Sequence, residues 1–189
     1  MKHIDVLSAA PLLPLDLWLA GQELLRGIAP EVRAWLTEPR PLSERIRAAS
    51  GARATLRVIG ERLAFLSAEQ QALVEAPAAS CLAVEAELAV HGRPWVYVES
   101  LIPDHTLEQH PWLAELGDSP LAATLDGVAG LERGPFEFAP LPPGHPLAVR
   151  ALARVAPPHA AVWARRAWLA LAGRRLLVQE VFLPGLGRC

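Results

Sequence analysis

The clearest pattern along the chain is that of two long β-hairpins. In each, two apolar runs rich in β-branched and aromatic residues flank a short turn that contains glycine, as paired antiparallel strands do. Pro103 and Pro184 directly follow the two hairpins, where a residue without an N–H group ends the ladder. The predicted hairpins join residues 82–90 to 93–102 around His91-Gly92, and residues 160–171 to 175–183 around a turn near Gly173.

Apolar residues at helical spacing separate and precede the hairpins. Ser67 and Gln70 have the spacing of a capping box, which opens a helix extending to about Glu75. Pro30 suits the first turn of a helix, and Gly51 ends another. The other predicted elements are helices at 15–27, 30–36, 41–50, 106–116, 119–126 and 147–154, and strands at 53–59 and 131–139.

This order of elements predicts an α+β fold. We expect a single antiparallel β-sheet of about six strands with helices packed on it. The chain has 189 residues, which is the size of one domain. We therefore predict a single domain over residues 1–189, with an irregular lead-in at 1–14.

Composition narrows the class of protein. Hydrophobic residues make up 52% of the chain and charged residues 20%, which excludes intrinsic disorder. The net charge of −2 and the lack of a Lys/Arg cluster argue against a nucleic-acid partner. No run of 18 apolar residues predicts a membrane span, and the N-terminus lacks a signal-peptide core. We expect a cytoplasmic monomer, and the scattered histidines predict no metal site.

Glu180 is a carboxylate on an otherwise apolar strand face. If Ala172 and Gly173 form the turn, Glu180 lies directly opposite Arg165. One interpretation is an ion pair across the hairpin. The other is a general acid or base whose protonated form is favoured by burial. Strand alternation places it with the apolar side chains of Leu176, Val178 and Phe182.

Glu99 is the second carboxylate in an apolar strand. With His91-Gly92 as a two-residue turn, Glu99 pairs with Val84, whose strand face is apolar. It is either a charge at the sheet margin or paired with a nearby arginine, or it is a group that works together with Glu180.

Short motifs follow one another in a fixed order from Trp35 to Pro184, over some 150 residues. This ordered set resembles the bacterial chorismate pyruvate-lyases, although no single motif is specific. The motifs are Gly92-Arg-Pro-Trp95 with a strand ending in Ile102-Pro103, Ser119-Pro-Leu121, Phe136-Glu-Phe138 with Leu141-Pro-Pro-Gly-His-Pro-Leu147, Trp163-Ala-Arg-Arg166, and Leu176-Leu-Val-Gln-Glu-Val-Phe-Leu-Pro184.

The resemblance implies a fold and an activity. Members of this family convert chorismate to 4-hydroxybenzoate and pyruvate, the first step of the ubiquinone pathway, without a metal or organic cofactor. Helical flaps cover a buried pocket on a six-stranded antiparallel sheet. At the matching positions, Glu180 is expected to hydrogen-bond the hydroxyl end of the product and to transfer a proton. Leu121 is expected to make a backbone contact to the product, and Leu42 to line the pocket.

Two positions depart from the family pattern. Members carry an arginine where this chain has Val84, and an arginine or histidine where it has Glu99. Chorismate is a dicarboxylate, and removing one partner of a buried ion pair costs about 3–5 kcal/mol. A replacement cation is therefore needed for this substrate. Arg165 is the best candidate from the sequence; the others are Arg57, Arg93 and Arg166.

Three functions stay open on the sequence alone. The first is a lyase with relocated cations that acts on chorismate. The second is a non-catalytic family member that binds a different aromatic ligand. The third is an enzyme with another substrate that uses Glu99 and Glu180 as a carboxylate pair. A related fold forms the ligand-sensing part of some transcription regulators, but residues 1–50 are too short and not basic enough for a DNA-binding domain.

Overall fold

One antiparallel β-sheet organises the computed structural model, which describes residues 18–21, 25–115, 128, 130–155 and 161–187. Within these residues the strands are β1 (Leu19–Ala20), β2 (Thr55–Phe65), β3 (Ser80–Val90), β4 (Arg93–Pro103), β5 (Glu132–Arg133), β6 (Glu137–Leu141), β7 (Val162–Leu171) and β8 (Arg174–Phe182). Their order across the sheet is β1-β6-β7-β8-β4-β3-β2, and β5 also pairs with β7.

The predicted α+β class of the fold is confirmed. The described sheet has eight strands rather than about six, because β1 and β5 add short pairings of two residues each.

Both hairpins form as predicted, with tight two-residue turns. His91 and Gly92 have φ angles of 48° and 76°, and Ala172 and Gly173 have φ angles of 45° and 79°. Two successive positive φ angles match the right-handed twist of the flanking strands. The two hairpins meet in the middle of the sheet, where β4 pairs with β8.

Helices cover both faces of this sheet. We call the front face the one from which Val178 and Glu180 of β8 project, and the back face the one from which Gln179 and Val181 project. Two helices, α1 (Pro30–Leu36) and α2 (Leu42–Ser50), pack on the front face with Phe182. The back face carries α3 (Ala68–Val74) and a later helix, Pro146–Leu152, which packs against Val181. No helix in the described part of the chain is long and apolar enough to span a membrane.

The register of the first hairpin changes by one residue just beyond its turn. Trp95 has no partner on β3, and its neighbour Pro94 has no N–H to give to the ladder, a common setting for a β-bulge. Beyond the bulge Glu99 pairs with Glu85, so the predicted pairing of Glu99 with Val84 is wrong. Cross-strand partners share a face and successive residues alternate. Glu99 therefore projects from the back face and Val84 from the front face.

Some other boundaries also differ from the sequence prediction. Part of the helix predicted at 15–27 is strand β1, which pairs with β6. The helix predicted at 106–116 divides into α4 (Asp104–Gln109) and a 3₁₀ turn (Pro111–Ala114), because Pro111 cannot continue an α-helix. The helix numbered α5 is Pro146–Leu152. The predicted helix at 119–126 and the lead-in at 1–14 lie outside the described residues.

Helix α3 begins with the predicted capping box. Ser67 Oγ accepts a hydrogen bond from the backbone N–H of Gln70 at 3.2 Å, and Gln70 Oε1 accepts one from the backbone N–H of Ser67 at 2.9 Å. Ser67→Ala should lower the free energy of unfolding by about 1 kcal/mol, because an N-terminal N–H loses its acceptor. Urea denaturation measures the change. Ser43→Ala, at an exposed position of α2, is the control, and equal stabilities of the two variants would contradict the assignment.

Candidate functional site

A cavity of about 350 Å³ opens on the front face of the sheet. Its floor is formed by β7 and β8, and its rim by the linker between α1 and α2 and by the segment around β5. The apolar part of the lining suits a ring-shaped ligand of modest size. The charged lining consists of three arginines and one glutamate: Arg40, Arg133, Arg165 and Glu180.

Glu180 and Arg165 form an ion pair at the floor of this cavity. They are direct cross-strand partners on β8 and β7, and Arg165 Nε lies 2.5 Å from Glu180 Oε2. The prediction that they face each other is confirmed. The Arg165 side chain is 2% exposed and that of Glu180 is 16% exposed, so the carboxylate is the member of the pair that reaches the open space. A carboxylate held in this way accepts hydrogen bonds from a ligand hydroxyl.

The rest of the Arg165 guanidinium ties the sheet to the linker that follows α1. Nη1 donates to the backbone carbonyls of Leu36 at 3.2 Å and Glu38 at 2.6 Å. The ring of Phe136 lies against the same guanidinium, with 4.2 Å between the guanidinium carbon and the ring centroid. Nη2 of Arg165 makes no hydrogen bond to any described residue. These contacts fix the guanidinium of Arg165 in place.

Glu38 fixes a second cation at the rim. Its buried carboxylate accepts hydrogen bonds from Arg40 Nε at 2.9 Å and from Arg40 Nη2 at 3.1 Å. These hydrogen bonds from Arg40 lower the pKa of Glu38 from 4.5 to about 2, against the opposing effect of burial. The charge of Arg40 is thus largely neutralised within the protein.

Arg133 is the third cation of the cavity, and the sequence does not indicate it. In β5 it pairs with Leu169 of β7, which also lines the cavity, so both side chains are on the front face. Arg133 Nη2 donates to the backbone carbonyl of Pro39 at 3.0 Å, and its guanidinium lies 4.6 Å from the centroid of the Phe136 ring. The strand is only two residues long, so no alternating pattern marks it.

Of Leu42, Val84 and Leu121, which the sequence also predicts at the site, the structure shows only Leu42 in the cavity lining. Leu42 lines the cavity as expected. Val84 is on the front face but packs in an apolar cluster with Ile102 and Leu176, and the cavity lining does not include it. Leu121 lies outside the described residues.

Glu99 is buried on the back face, away from the cavity. Its side chain is 1% exposed and receives hydrogen bonds from Arg62, Arg150 and Gln179 at 2.7–3.1 Å. The structure therefore supports the interpretation as a carboxylate paired with a nearby arginine. Because Glu180 projects from the opposite face, the two glutamates do not form one carboxylate pair.

The remaining arginines considered as replacement cations do not reach the cavity. Arg166 is buried on the back face with Glu69 and Glu137. Arg57 pairs with Glu87 on the same face. Arg93 is exposed at the hairpin turn. Of the cations proposed from the sequence, only Arg165 lines the cavity.

An antiparallel sheet with a ligand-sized cavity, lined by apolar side chains and by cations, is typical of a domain that binds small molecules. The sequence comparisons name the family. A model of the chorismate lyase family matches residues 12–186. The relatives include proteins named "Probable chorismate pyruvate-lyase" from Halorhodospira halophila, 34% identical over 88% of this chain and 89% of the relative, and from Dechloromonas aromatica, 35% identical over 83% and 89%. The chain belongs to the chorismate lyase family.

A solved structure of another protein has a similar fold. The effector domain of PhnF from Mycobacterium smegmatis matches with a TM-score of 0.55 over 76% of this chain and 88% of that domain, at 13% identity. At this identity the match establishes the fold alone. The same sheet architecture is thus present in that effector domain.

The lowered pKa of Glu38 gives a pH-dependent prediction. At pH values above 4.5, the ordinary pKa of a glutamate, the ionised Glu38 carboxylate contributes its full stabilisation to the fold. This contribution is lost as the pH falls from 4.5 through about 2, the lowered pKa of Glu38. Glu38→Gln should therefore lower Tm at pH 6, and its difference from the wild type should shrink steadily below pH 4.5. Thermal unfolding monitored by circular dichroism measures this. Glu31→Gln, at an exposed site on α1, is the control, and a Glu38→Gln difference that does not vary with pH would contradict the prediction.

Proposed function

We propose that this protein converts chorismate to 4-hydroxybenzoate and pyruvate. The observation that carries the proposal is the Glu180–Arg165 pair at the floor of a ligand-sized cavity, at the position where the family is expected to hold the hydroxyl end of the product. Membership of the chorismate lyase family and the names of the relatives support it. We further propose that it acts in the cytoplasm as a monomer, in the first step of the ubiquinone pathway.

The reaction is an elimination that needs no oxidant or reductant. The bond between a ring carbon and the enol-ether oxygen breaks, and the neighbouring ring carbon, which carries the hydroxyl, loses its hydrogen as a proton. The ring becomes aromatic 4-hydroxybenzoate. The side chain leaves as the enolate of pyruvate, which takes up one proton at its methylene carbon, so the proton lost by the ring balances the proton gained by pyruvate. A general base is therefore needed beside the carbon that bears the hydroxyl.

Glu180 is suited to act at this carbon. Its carboxylate lines the cavity and is oriented by an ion pair with Arg165, whose guanidinium is fixed by hydrogen bonds to two backbone carbonyls. A carboxylate that accepts a hydrogen bond from the ring hydroxyl lies next to the hydrogen that is lost. The guanidinium of Arg165, which is paired with Glu180 through Nε and lines the same cavity, is suited to stabilise negative charge on the leaving enolate.

Glu180→Gln tests this role. We expect kcat for the release of 4-hydroxybenzoate from chorismate to fall by about a hundredfold or more, because the base is removed while the shape is kept. Chromatography of 4-hydroxybenzoate measures the rate, and circular dichroism confirms folding. A variant with wild-type kcat would contradict the role of Glu180.

Glu99→Gln is the matched control. Like Glu180→Gln, it removes a carboxylate that belongs to the sheet and is paired with arginine. Glu99, however, projects from the back face, where it is paired with Arg62 and Arg150. We expect Glu99→Gln to lower Tm, since Arg62 and Arg150 lose one of their two carboxylate partners among the described residues and keep Glu85. We expect kcat and KM of the folded protein to stay within about twofold of the wild type. If both variants lost kcat equally, the effect of Glu180→Gln would be structural.

The second candidate is a family member that binds a different aromatic ligand without turnover. The observation that favours it is Val84, which occupies the family's arginine position and lies in an apolar cluster. This candidate predicts that the wild-type protein releases no 4-hydroxybenzoate above the uncatalysed background. Turnover at ordinary enzymatic rates would exclude it.

A further inference from the structure

The geometry points to Arg133 as the residue that binds the ring carboxylate of the substrate and product, in place of the family arginine whose position is taken by Val84. This inference rests on the proposed function. It assigns the specificity for an anionic ring to a residue of β5, at the rim of the cavity, rather than to the first hairpin.

Charge balance distinguishes Arg133 from the other two cavity arginines. Arg165 is paired with Glu180, and Arg40 is held by both oxygens of Glu38. Arg133 donates only to a neutral backbone carbonyl, and no carboxylate of a described residue forms an ion pair with it. Its neighbour Glu132 pairs with Ala170 and projects from the other face of the sheet. Among the described residues, Arg133 is therefore the cavity arginine whose positive charge has no carboxylate partner.

The shape of the ligand favours the same assignment. In 4-hydroxybenzoate the carboxylate and the hydroxyl are at opposite ends of the ring. If Glu180 at the floor holds the hydroxyl, the carboxylate points away from the floor and away from Arg165. A buried carboxylate without a cation is costly, so the ring carboxylate needs a cation at the rim. Of the two rim arginines, Arg40 is held by Glu38, whereas Arg133 has no carboxylate partner among the described residues.

Local packing holds Arg133 in this position. The guanidinium groups of Arg133 and Arg165 both lie against the ring of Phe136, which also lines the cavity. The next residue, Gly134, donates its N–H to the carbonyl of Trp168 at 2.9 Å, and a Cβ at this position would collide with the Trp168 ring. A glycine here allows β5 to lie close against β7. The segment is thus built to place one arginine at the rim.

The experiment compares two ligands that differ in charge. Isothermal titration at low salt measures Kd for 4-hydroxybenzoate and for the neutral 4-hydroxybenzamide, with the wild type, Arg133→Gln and Arg133→Lys. We expect Arg133→Gln to weaken binding of the carboxylate by about tenfold or more and to leave the amide within about twofold. Arg133→Lys should retain part of the preference, because it keeps the charge without the two-pronged geometry.

Arg93→Gln is the matched control, since it removes the same charge from an exposed position outside the cavity. Equal Kd changes for both ligands, or no change for either, would overturn the role of Arg133. So would a wild-type protein that binds neither ligand. Chorismate turnover is measured in parallel. A wild type that binds 4-hydroxybenzoate through Arg133 but releases none from chorismate would refute the proposed function alone, whereas turnover without a selective loss in Arg133→Gln would refute the inference alone.

Discussion

The buried guanidinium of Arg165 is the constraint on which the rest of the site depends. It lies on a central strand with 2% of its side chain exposed, so its charge and its donors must be satisfied inside the protein. Glu180 supplies the charge partner for Nε, and the backbone carbonyls of Leu36 and Glu38 accept hydrogen bonds from Nη1. One side chain therefore orients the candidate base, fixes the linker after α1 to the sheet, and sets the depth of the cavity beneath that linker.

The two faces of the sheet use charge in different ways. On the back face, Glu99 and Arg166 are buried and satisfied by partners from several strands and helices, so this network specifies packing. The same environment raises the pKa of the buried Tyr97 well above its ordinary value, mainly through loss of hydration. On the front face, Arg133 forms no ion pair with any residue that the structure describes, and Nη2 of Arg165 makes no hydrogen bond to one. An open cavity with unsatisfied cations is suited to an anion in a way that a closed network is not.

The surroundings of Val84 explain why an apolar residue is tolerated where the family has an arginine. Val84 completes an apolar cluster between the sheet and the 3₁₀ turn, and an arginine is not needed there if the cation comes from another segment. Arg133 lines the cavity from β5, which pairs with β7, whereas Val84 is on β3, three strands from β7 in the sheet order.

The sequence by itself determined the features that depend on neighbours along the chain. The hairpin turns, the capping box of α3 and the pairing of Glu180 with Arg165 all follow from local turn chemistry and from counting across a two-residue turn. The same counting failed for Glu99, because a bulge at Trp95 shifted the register, and bulges have no reliable sequence pattern. Arg133 reaches the cavity through a two-residue strand and a ring contact with Phe136. Only the tertiary structure decided that, since contacts between segments distant in sequence depend on packing that no local pattern records.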